Sequence, residues 1–420
     1  MNFYKEINPQ PYLSGLVKRG QFVLYLSLLD KLIYFIIFIF LARSFSPGEY
    51  GFFISIFAFG NIVVTFSELG FANYFQRKIA SDLENLSEEF NSVFTFRLIT
   101  YVAIISIASV YFYSEPSNLV LVSIVISAIF IFNSSWIVIK LFFGLNQYHS
   151  VFNRFLISRG ILIISVTILL ILNTSLTLLS ITFLLSAISE FVLLFKKLIQ
   201  ERSLNFKIAF KTEVLKRIFV SSVPMGMSGF FVMLYDRVDV LLIQKIISIE
   251  AVSFYAIAYS LYKIPHLFVP FFLTPLFTDL SSEYESHRKI NRLKLKNLFF
   301  LFVFLSLISI IVFYFLSDVL ISLTYGNKYI SSSNLLIILV LALPFLFLNN
   351  LTGVILNSIK KEKLTFATTA FGSIINILMN IILLNLIGIE GAVIATILTE
   401  LFVFSLQANY LFKYRAVMIK

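Results

Sequence analysis

The chain reads as an all-α polytopic membrane protein of twelve transmembrane helices, and three observations predict this class. Hydrophobic residues make up 59% of its 420 residues and charged residues only 13%, whereas soluble domains carry about 25% charged residues. Twelve apolar stretches, most of them around twenty residues long, fill the chain almost from end to end, and about twenty helical residues cross roughly 30 Å of hydrocarbon. Basic residues collect in every second gap between the stretches, as they do where loops stay cytoplasmic. Length alone suggests about two or three soluble domains, but that prior fails when the solvent is lipid.

The expected spans are roughly 21–42, 50–72, 91–113, 118–140, 154–173, 176–195, 219–244, 251–277, 297–316, 332–355, 364–387 and 390–412. The first is too long for the core of a signal peptide and has no obvious small-residue cleavage site, so it reads as a retained helix. The seventh contains Pro224 near one end, where a kink is expected. The eighth holds Pro265, Pro270 and Pro275 within eleven residues; such a helix is tolerated where it lines a cavity or is packed in protein. With the N-terminus inside, 25 Lys and Arg fall in cytoplasmic segments, among them Lys5, Arg415 and Lys420, while only Arg43, Lys245 and Lys328 fall outside. Both termini are therefore expected to be cytoplasmic.

The longest inner connection, Lys196 to Arg217, lies halfway along the chain. It divides the sequence into an expected N-terminal six-helix lobe (1–198), a basic cytoplasmic linker (199–217) and a C-terminal six-helix lobe (218–420). Weak internal similarity agrees: Leu145-Asn146 and Leu356-Asn357 follow the fourth and tenth spans, and Ser186 to Glu190 parallels Thr396 to Glu400. The offsets are 211 and 210 residues. Repeats of this kind recur in secondary transporters, with the substrate site between the lobes. The basic segments 196–217 and 288–296 are amphipathic enough to lie on the membrane, although orientation charge and leaflet binding explain them as well.

Charges at mid-membrane cost about 2.5–3.5 kcal/mol each on insertion scales, so they face protein or water. Asp30 and Lys31 lie in the first span, Glu68 in the second, Arg97 in the third, Arg159 in the fifth and Glu190 in the sixth. Asp236, Arg237 and Asp239 lie in the seventh, Lys263 and His266 in the eighth and Glu400 in the twelfth. Their concentration in a few helices is what a central polar cavity requires.

Asp236 and Asp239 are three apart and share a helical face. They read either as a cavity pair for a proton, cation or sugar hydroxyl, or as partners of Arg237 or Lys245. Asp30 and Lys31 diverge by about 100° and need partners from other helices, with Glu68, Arg97 and Arg159 as candidates. Arg97 and Arg159 suit phosphate, because a planar guanidinium donates two hydrogen bonds at once; snorkelling or structural pairing is the plainer reading. Lys263 lies where snorkelling is hardest. Glu190 and Glu400 occupy equivalent repeat positions and are expected to form interhelical hydrogen bonds.

The cavity cations are thus Lys31, Arg97, Arg159, Arg237 and Lys263, and the cavity or ion-coupling carboxylates are Asp30, Glu68, Asp236 and Asp239. No Walker-type loop occurs, so ATP hydrolysis is not expected. The three His, at 149, 266 and 287, form no cluster, and there is no Cys, so neither a metal nor a cofactor is expected. The net charge of +11 is loop-borne and fits an anionic leaflet rather than nucleic acid. No outer connection is long enough for a glycosyltransferase or polymerase site, so the chain is not expected to be an enzyme.

The run Phe40 to Gly51, with Ala42-Arg43 and Glu49-Tyr50-Gly51, resembles the ARxLxxxEYG signature of Wzx-like polysaccharide-repeat flippases. These belong to the multidrug/oligosaccharidyl-lipid/polysaccharide exporter superfamily. Glu68-Leu69-Gly70-Phe71 before Arg77-Lys78 is similar too, as are Pro224-Met225-Gly226, Asp236 to Ile243 and Tyr255 to Tyr259. Ile247-Ser248-Ile249 departs from the family's often Gly-rich sequence. The resemblance implies two six-helix bundles in a V shape that alternate between inward and outward openings. It also implies a cargo, undecaprenyl-diphosphate-linked oligosaccharide, flipped across the bacterial inner membrane for O-antigen, lipopolysaccharide or another polymer. Membrane lipids, a polysaccharide polymerase and chain-length proteins are the partners it raises, and the buried carboxylates motivate proton or cation coupling. A lipid II flippase or a cation-coupled multidrug antiporter of the same superfamily is the alternative.

Overall fold

No water reaches the hydrocarbon core to satisfy backbone N–H and C=O groups, so a chain this apolar satisfies them within helices. The computed structural model describes residues 9–81, 86–113, 118–202, 206–414 and 418–419; Lys5, Arg415 and Lys420 of the charge census lie outside them. In chain order the described helices are α1 Pro9–Ser44, α2 Pro47–Glu68, α3 Phe71–Ser81, α4 Leu86–Tyr111, α5 Leu119–Gly144, α6 Tyr148–Ile171, α7 Leu176–Arg202 and α8 Thr212–Ile246. They continue with α9 Ile249–Tyr262, α10 Val269–His287, α11 Arg292–Thr324, α12 Ser332–Leu339, α13 Leu343–Ser358, α14 Glu362–Ile387 and α15 Glu390–Lys413. Among the described residues, twelve helical segments are long and apolar enough to cross a membrane. The protein is a multi-pass membrane protein.

Four local features differ from the sequence reading. The eighth span is not one kinked helix: α9 stops at Tyr262, a 3-10 turn covers Pro265–Phe268, and α10 resumes at Val269. Pro265 and Pro270 supply no N–H to the ladder, which accounts for the break. The tenth span is also broken, by a 3-10 turn at Val340–Ala342 before Pro344. Between the second and third spans the short helix α3 buries Phe71, Phe75 and Ile79, a spacing of four that lines one helical face. The connection expected over 196–217 is narrowed from both sides, because α7 runs on to Arg202 and α8 begins at Thr212.

Contacts group the helices into two compact units, residues 1–38 with 70–222 and residues 39–69 with 223–420. In the first unit α5 packs along α7, α6 against α7 and α3 against α5. The stretch before Pro224 is docked here as well. Phe219 meets Phe71 at 5.7 Å and Phe96 at 5.2 Å, and Arg217 Nη2 reaches the buried Glu89 at 2.8 Å. Tyr74 Oη donates to the same carboxylate at 3.1 Å.

In the second unit α14 packs on α15, α13 on α15, and α2 on α9. The α1–α2 corner is tied in by an exchange of helix caps. Arg43 donates to the carbonyls of Leu323 and Thr324 at 2.5 and 2.7 Å, at the end of α11. Lys328 donates in turn to the carbonyls of Arg43 and Phe45 at 3.0 and 2.6 Å, at the end of α1. Cations at helix C-termini satisfy orphan carbonyls and the helix dipole together. Burial holds the Lys328 ammonium below the usual lysine pKa, with Glu49 opposing the shift. Ser46 caps α2 in a capping box with Glu49, Tyr50 packs on Tyr329, and a Cβ on Gly51 would stand 2.1 Å from the Ile249 carbonyl oxygen. Two short strands, β1 Ile290–Asn291 and β2 Met418–Ile419, pair in parallel.

Candidate functional site

The seventh span carries its two acids three residues apart, and α9 meets them with tyrosines four residues apart. Tyr259 Oη donates to Asp236 Oδ1 at 2.6 Å and Tyr255 Oη donates to Asp239 Oδ2 at 2.6 Å, with the two rings stacked 5.6 Å apart. From there the two acids differ. Asp236 is an ion-pair member: Lys263 Nζ lies 2.9 Å from Oδ1 and Arg237 Nε 3.5 Å from Oδ2. Lys263 stands at the end of α9, where the proline break begins, 5.0 Å from the Tyr259 ring.

Asp239 has neutral partners. Asn380 Nδ2 donates to Oδ1 at 2.8 Å and Thr396 Oγ1 to Oδ2 at 3.3 Å, in addition to Tyr255. The residue is 3% exposed. On α14 the amide oxygens of Asn380 and of Asn376, one turn away, are buried and accept no hydrogen bond among the described residues. A carboxylate buried at membrane depth demands a compensating positive charge. Oxygens without donors around it are what a proton or a hard monovalent cation would use.

The first unit holds a second cluster. Arg159 Nε donates to Asp30 Oδ1 at 2.7 Å, and its Nη1 pairs with Glu190 Oε2 at 3.0 Å. The guanidinium stands 5.3 Å from the Tyr34 ring, 4.7 Å from Phe132 and 4.9 Å from Phe155. Two of its three nitrogens are thereby committed to carboxylates, and two acids share one cation. Glu400, at the repeat position equivalent to Glu190, accepts from Asn349 Nδ2 at 2.5 Å. Both acids therefore take partners from other helices.

Of the nine residues expected at a cavity, Asp30 and Arg159 come together in the first unit, and Asp236, Arg237, Lys263 and Asp239 in the second. Lys31 neighbours Asp30 in sequence and is exposed. Arg97 is 1% exposed, so it does not snorkel; it stacks 4.5 Å over Phe130 and donates to Ser134 Oγ. Glu68 is half-buried in the last turn of α2. Sequence reasoning named Tyr255, Tyr259 and Thr396 in the resemblance and the repeat but gave them no site role, and it passed over Asn376 and Asn380. The signal for the asparagines was available, since two amides one turn apart in an apolar span are as misplaced in lipid as a charge.

Solved structures share this fold. A multidrug resistance MATE family transporter of the MOP superfamily, in an inward-facing conformation, superposes with a TM-score of 0.71 at 13% identity, covering 92% of this chain and 95% of that one. The lipid II flippase MurJ, in an inward closed conformation, gives 0.69 at 18% identity, covering 92% and 86%. A variant of the Vibrio cholerae MATE transporter VcmN gives 0.60 at 12% identity, covering 95% and 97%. No curated protein matches the chain. Residues 40–334, more than half of the sequence, match the family described as polysaccharide biosynthesis protein, and the chain belongs to that family.

Proposed function

We propose that the protein is a flippase that moves an undecaprenyl-diphosphate-linked oligosaccharide repeat unit across the bacterial cytoplasmic membrane. Its product would feed O-antigen or another surface polysaccharide, with a polymerase and chain-length proteins downstream. The observation that carries the reading is the match to a polysaccharide-biosynthesis family over residues 40–334 in a chain with the fold of a lipid II flippase. Sugar and diphosphate do not cross hydrocarbon unaided, whereas the lipid tail can stay in the bilayer. Lys31 is the best placed cation for the diphosphate, because it is exposed, while Arg159, Lys263 and Arg237 are engaged with carboxylates. The six-plus-six division from the sequence repeat belongs to the same reading, with alternating access between the halves.

Asp239 is the coupling site in this reading. It is a buried carboxylate with neutral donors, among them Asn380, whose amide oxygen, like that of Asn376 one turn away on the same helix, accepts nothing among the described residues, and several oxygens around one negative charge suit Na⁺ better than a proton, which occupies only one of them. The test is expression in a bacterial strain lacking its own repeat-unit flippase. Surface polysaccharide should return, and in proteoliposomes the appearance of lipid-linked oligosaccharide in the opposite leaflet should depend on Na⁺. D239N should abolish that dependence, by about 5–150-fold for a coupling free energy of 1–3 kcal/mol. Restored drug efflux without restored polysaccharide would replace the flippase with an antiporter.

A further inference from the structure

The connection between α7 and α8 exposes large apolar side chains. Residues 206–211 read Phe-Lys-Ile-Ala-Phe-Lys and form neither helix nor strand. Phe206, Ile208 and Phe210 are 40, 76 and 51% exposed, and they alternate with the exposed Lys207 and Lys211. The stretch is nonetheless fixed to the first unit. The Ala209 N–H donates to Thr95 Oγ1 of α4 at 3.1 Å, and the Phe206 ring meets Phe195 of α7 at 5.3 Å and Phe94 of α4 at 6.4 Å. Apolar side chains held out beside cations suit the boundary between headgroups and acyl chains.

Next to this stretch, the last turns of α7 form a groove of about 250 Å³. Its walls are two rows at four-residue spacing, hence two parallel lines on one helix surface. Phe191, Phe195 and Ile199 form a half-buried row, and Val192, Lys196 and Gln200 form an exposed one. The first row is backed by rings, with Phe94 at 5.9 Å from Phe191 and Phe90 at 6.0 Å from Phe195. The second row turns from apolar to polar toward the end of α7, which the charge pattern predicts to be cytoplasmic. From Phe191 to Gln200 the groove runs about 14 Å at 1.5 Å per residue.

Two cations stand at its polar end. Lys196 lines the groove, and Lys207 follows Phe206, the ring packed on Phe195. Both lysines are exposed and form no ion pair among the described residues. The acids that meet this connection are engaged with other cations: Glu88 pairs with Lys211 at 3.1 Å and Glu89 with Arg217 at 2.8 Å. A groove between neighbouring rows of one helix seats a single chain, and here two uncommitted positive charges flank its mouth.

We propose that this groove docks the polyprenyl diphosphate part of the lipid-linked cargo. The first prenyl units lie against Phe191, Phe195 and Ile199, and the diphosphate lies on Lys196 and Lys207. The inference rests on the flippase reading, and it places a docking step ahead of the contact proposed for Lys31. A glycerophospholipid brings two chains and one phosphate. A polyprenyl diphosphate brings one chain and two phosphates, which matches one groove and two cations. Lysine suits a flexible diphosphate because its ammonium acts as a point charge and needs no fixed fork geometry. Phe206, Ile208 and Phe210 insert into the same leaflet and hold the mouth at headgroup depth.

The sequence contains no Cys, so V192C, at the exposed wall of the groove, takes a single environment-sensitive fluorophore. I164C, at a position of α6 that is 62% exposed, takes the same label as a control. In phosphatidylcholine nanodiscs the V192C signal should shift and saturate as undecaprenyl diphosphate is added, while I164C stays flat. Adding K196Q and K207Q to V192C should raise the half-saturating lipid fraction by about tenfold, and an unchanged response overturns the diphosphate contact. No saturable shift at V192C leaves an ordinary lipid-facing surface, and an equal shift with phosphatidylglycerol leaves a general anionic-lipid site; either overturns the proposal. The polysaccharide assay keeps the two claims apart. If V192C responds as expected but the protein restores no polysaccharide in the flippase-deficient strain, the flippase reading has failed. If polysaccharide returns while V192C shows no response, only the docking site has failed.

Discussion

At the residue scale, the signature run around Arg43 proves to be packing and capping chemistry. Arg43 and Lys328 are two of the three basic residues outside the set expected to be cytoplasmic; Arg43 closes the end of α11, and Lys328, just past that end, closes the end of α1. Their position in the charge census is thus explained by a local partner. Gly51 is set by distance alone: α2 and α9 approach so closely that a methyl group would overlap the Ile249 carbonyl. Overpacking of this kind costs about 1–3 kcal/mol, so G51A should lower the melting temperature in detergent by several degrees. Gly229 has nothing within 4 Å of a built Cβ, and G229A should leave the melting temperature unchanged or raise it, since Ala is favoured over Gly in a helix by about 0.5–1 kcal/mol. Equal melting of the two variants would refute the close approach. Sequence alone marks both as glycines in apolar helices and does not separate them.

At the element scale, the prolines of the eighth span led to the expectation of a kink, and the helix instead stops after Tyr262, because the missing N–H acts locally. Pro344 carries the same information and accompanies the break between α12 and α13. Pro224, by contrast, sits within the continuous α8, so proline marks where a helix can break and the packing decides whether it does. The helix α3 was legible in principle, through Phe71, Phe75 and Ile79 on the face opposite Arg77, but its eleven residues are too few to register as a span. Its anchor is Glu89, 1% exposed, which joins Tyr74 of α3 to Arg217 of α8. E89A leaves the Tyr74 hydroxyl without its acceptor, a loss of about 1–3 kcal/mol. The expected result is faster proteolysis in the 199–217 connection at unchanged helix content; an unaltered cleavage rate would show that Glu89 does not hold this stretch.

At the scale of the whole molecule, orientation is an expectation from charge: translocating Lys and Arg is costly, and a bias of 25 against 3 favours cytoplasmic termini. Single cysteines again provide the check: K207C should label only in inverted vesicles and I247C only in right-side-out ones. The opposite pattern would reverse both termini. What the amino-acid sequence determined by itself is the number of spans, their approximate limits and the charge asymmetry, all of which depend on how each segment partitions between water and lipid. What only the tertiary structure decided is which charges meet. The apolar surface of a span looks alike toward lipid and toward protein, so periodicity does not reveal the inner face. Asp239 finds Asn380 across 141 residues and Thr396 across 157, and Asp30 finds Arg159 across 129. α2 likewise joins the helices of the second unit rather than its neighbours in sequence, because a glycine-sized gap and two exchanged caps act between segments far apart in the chain.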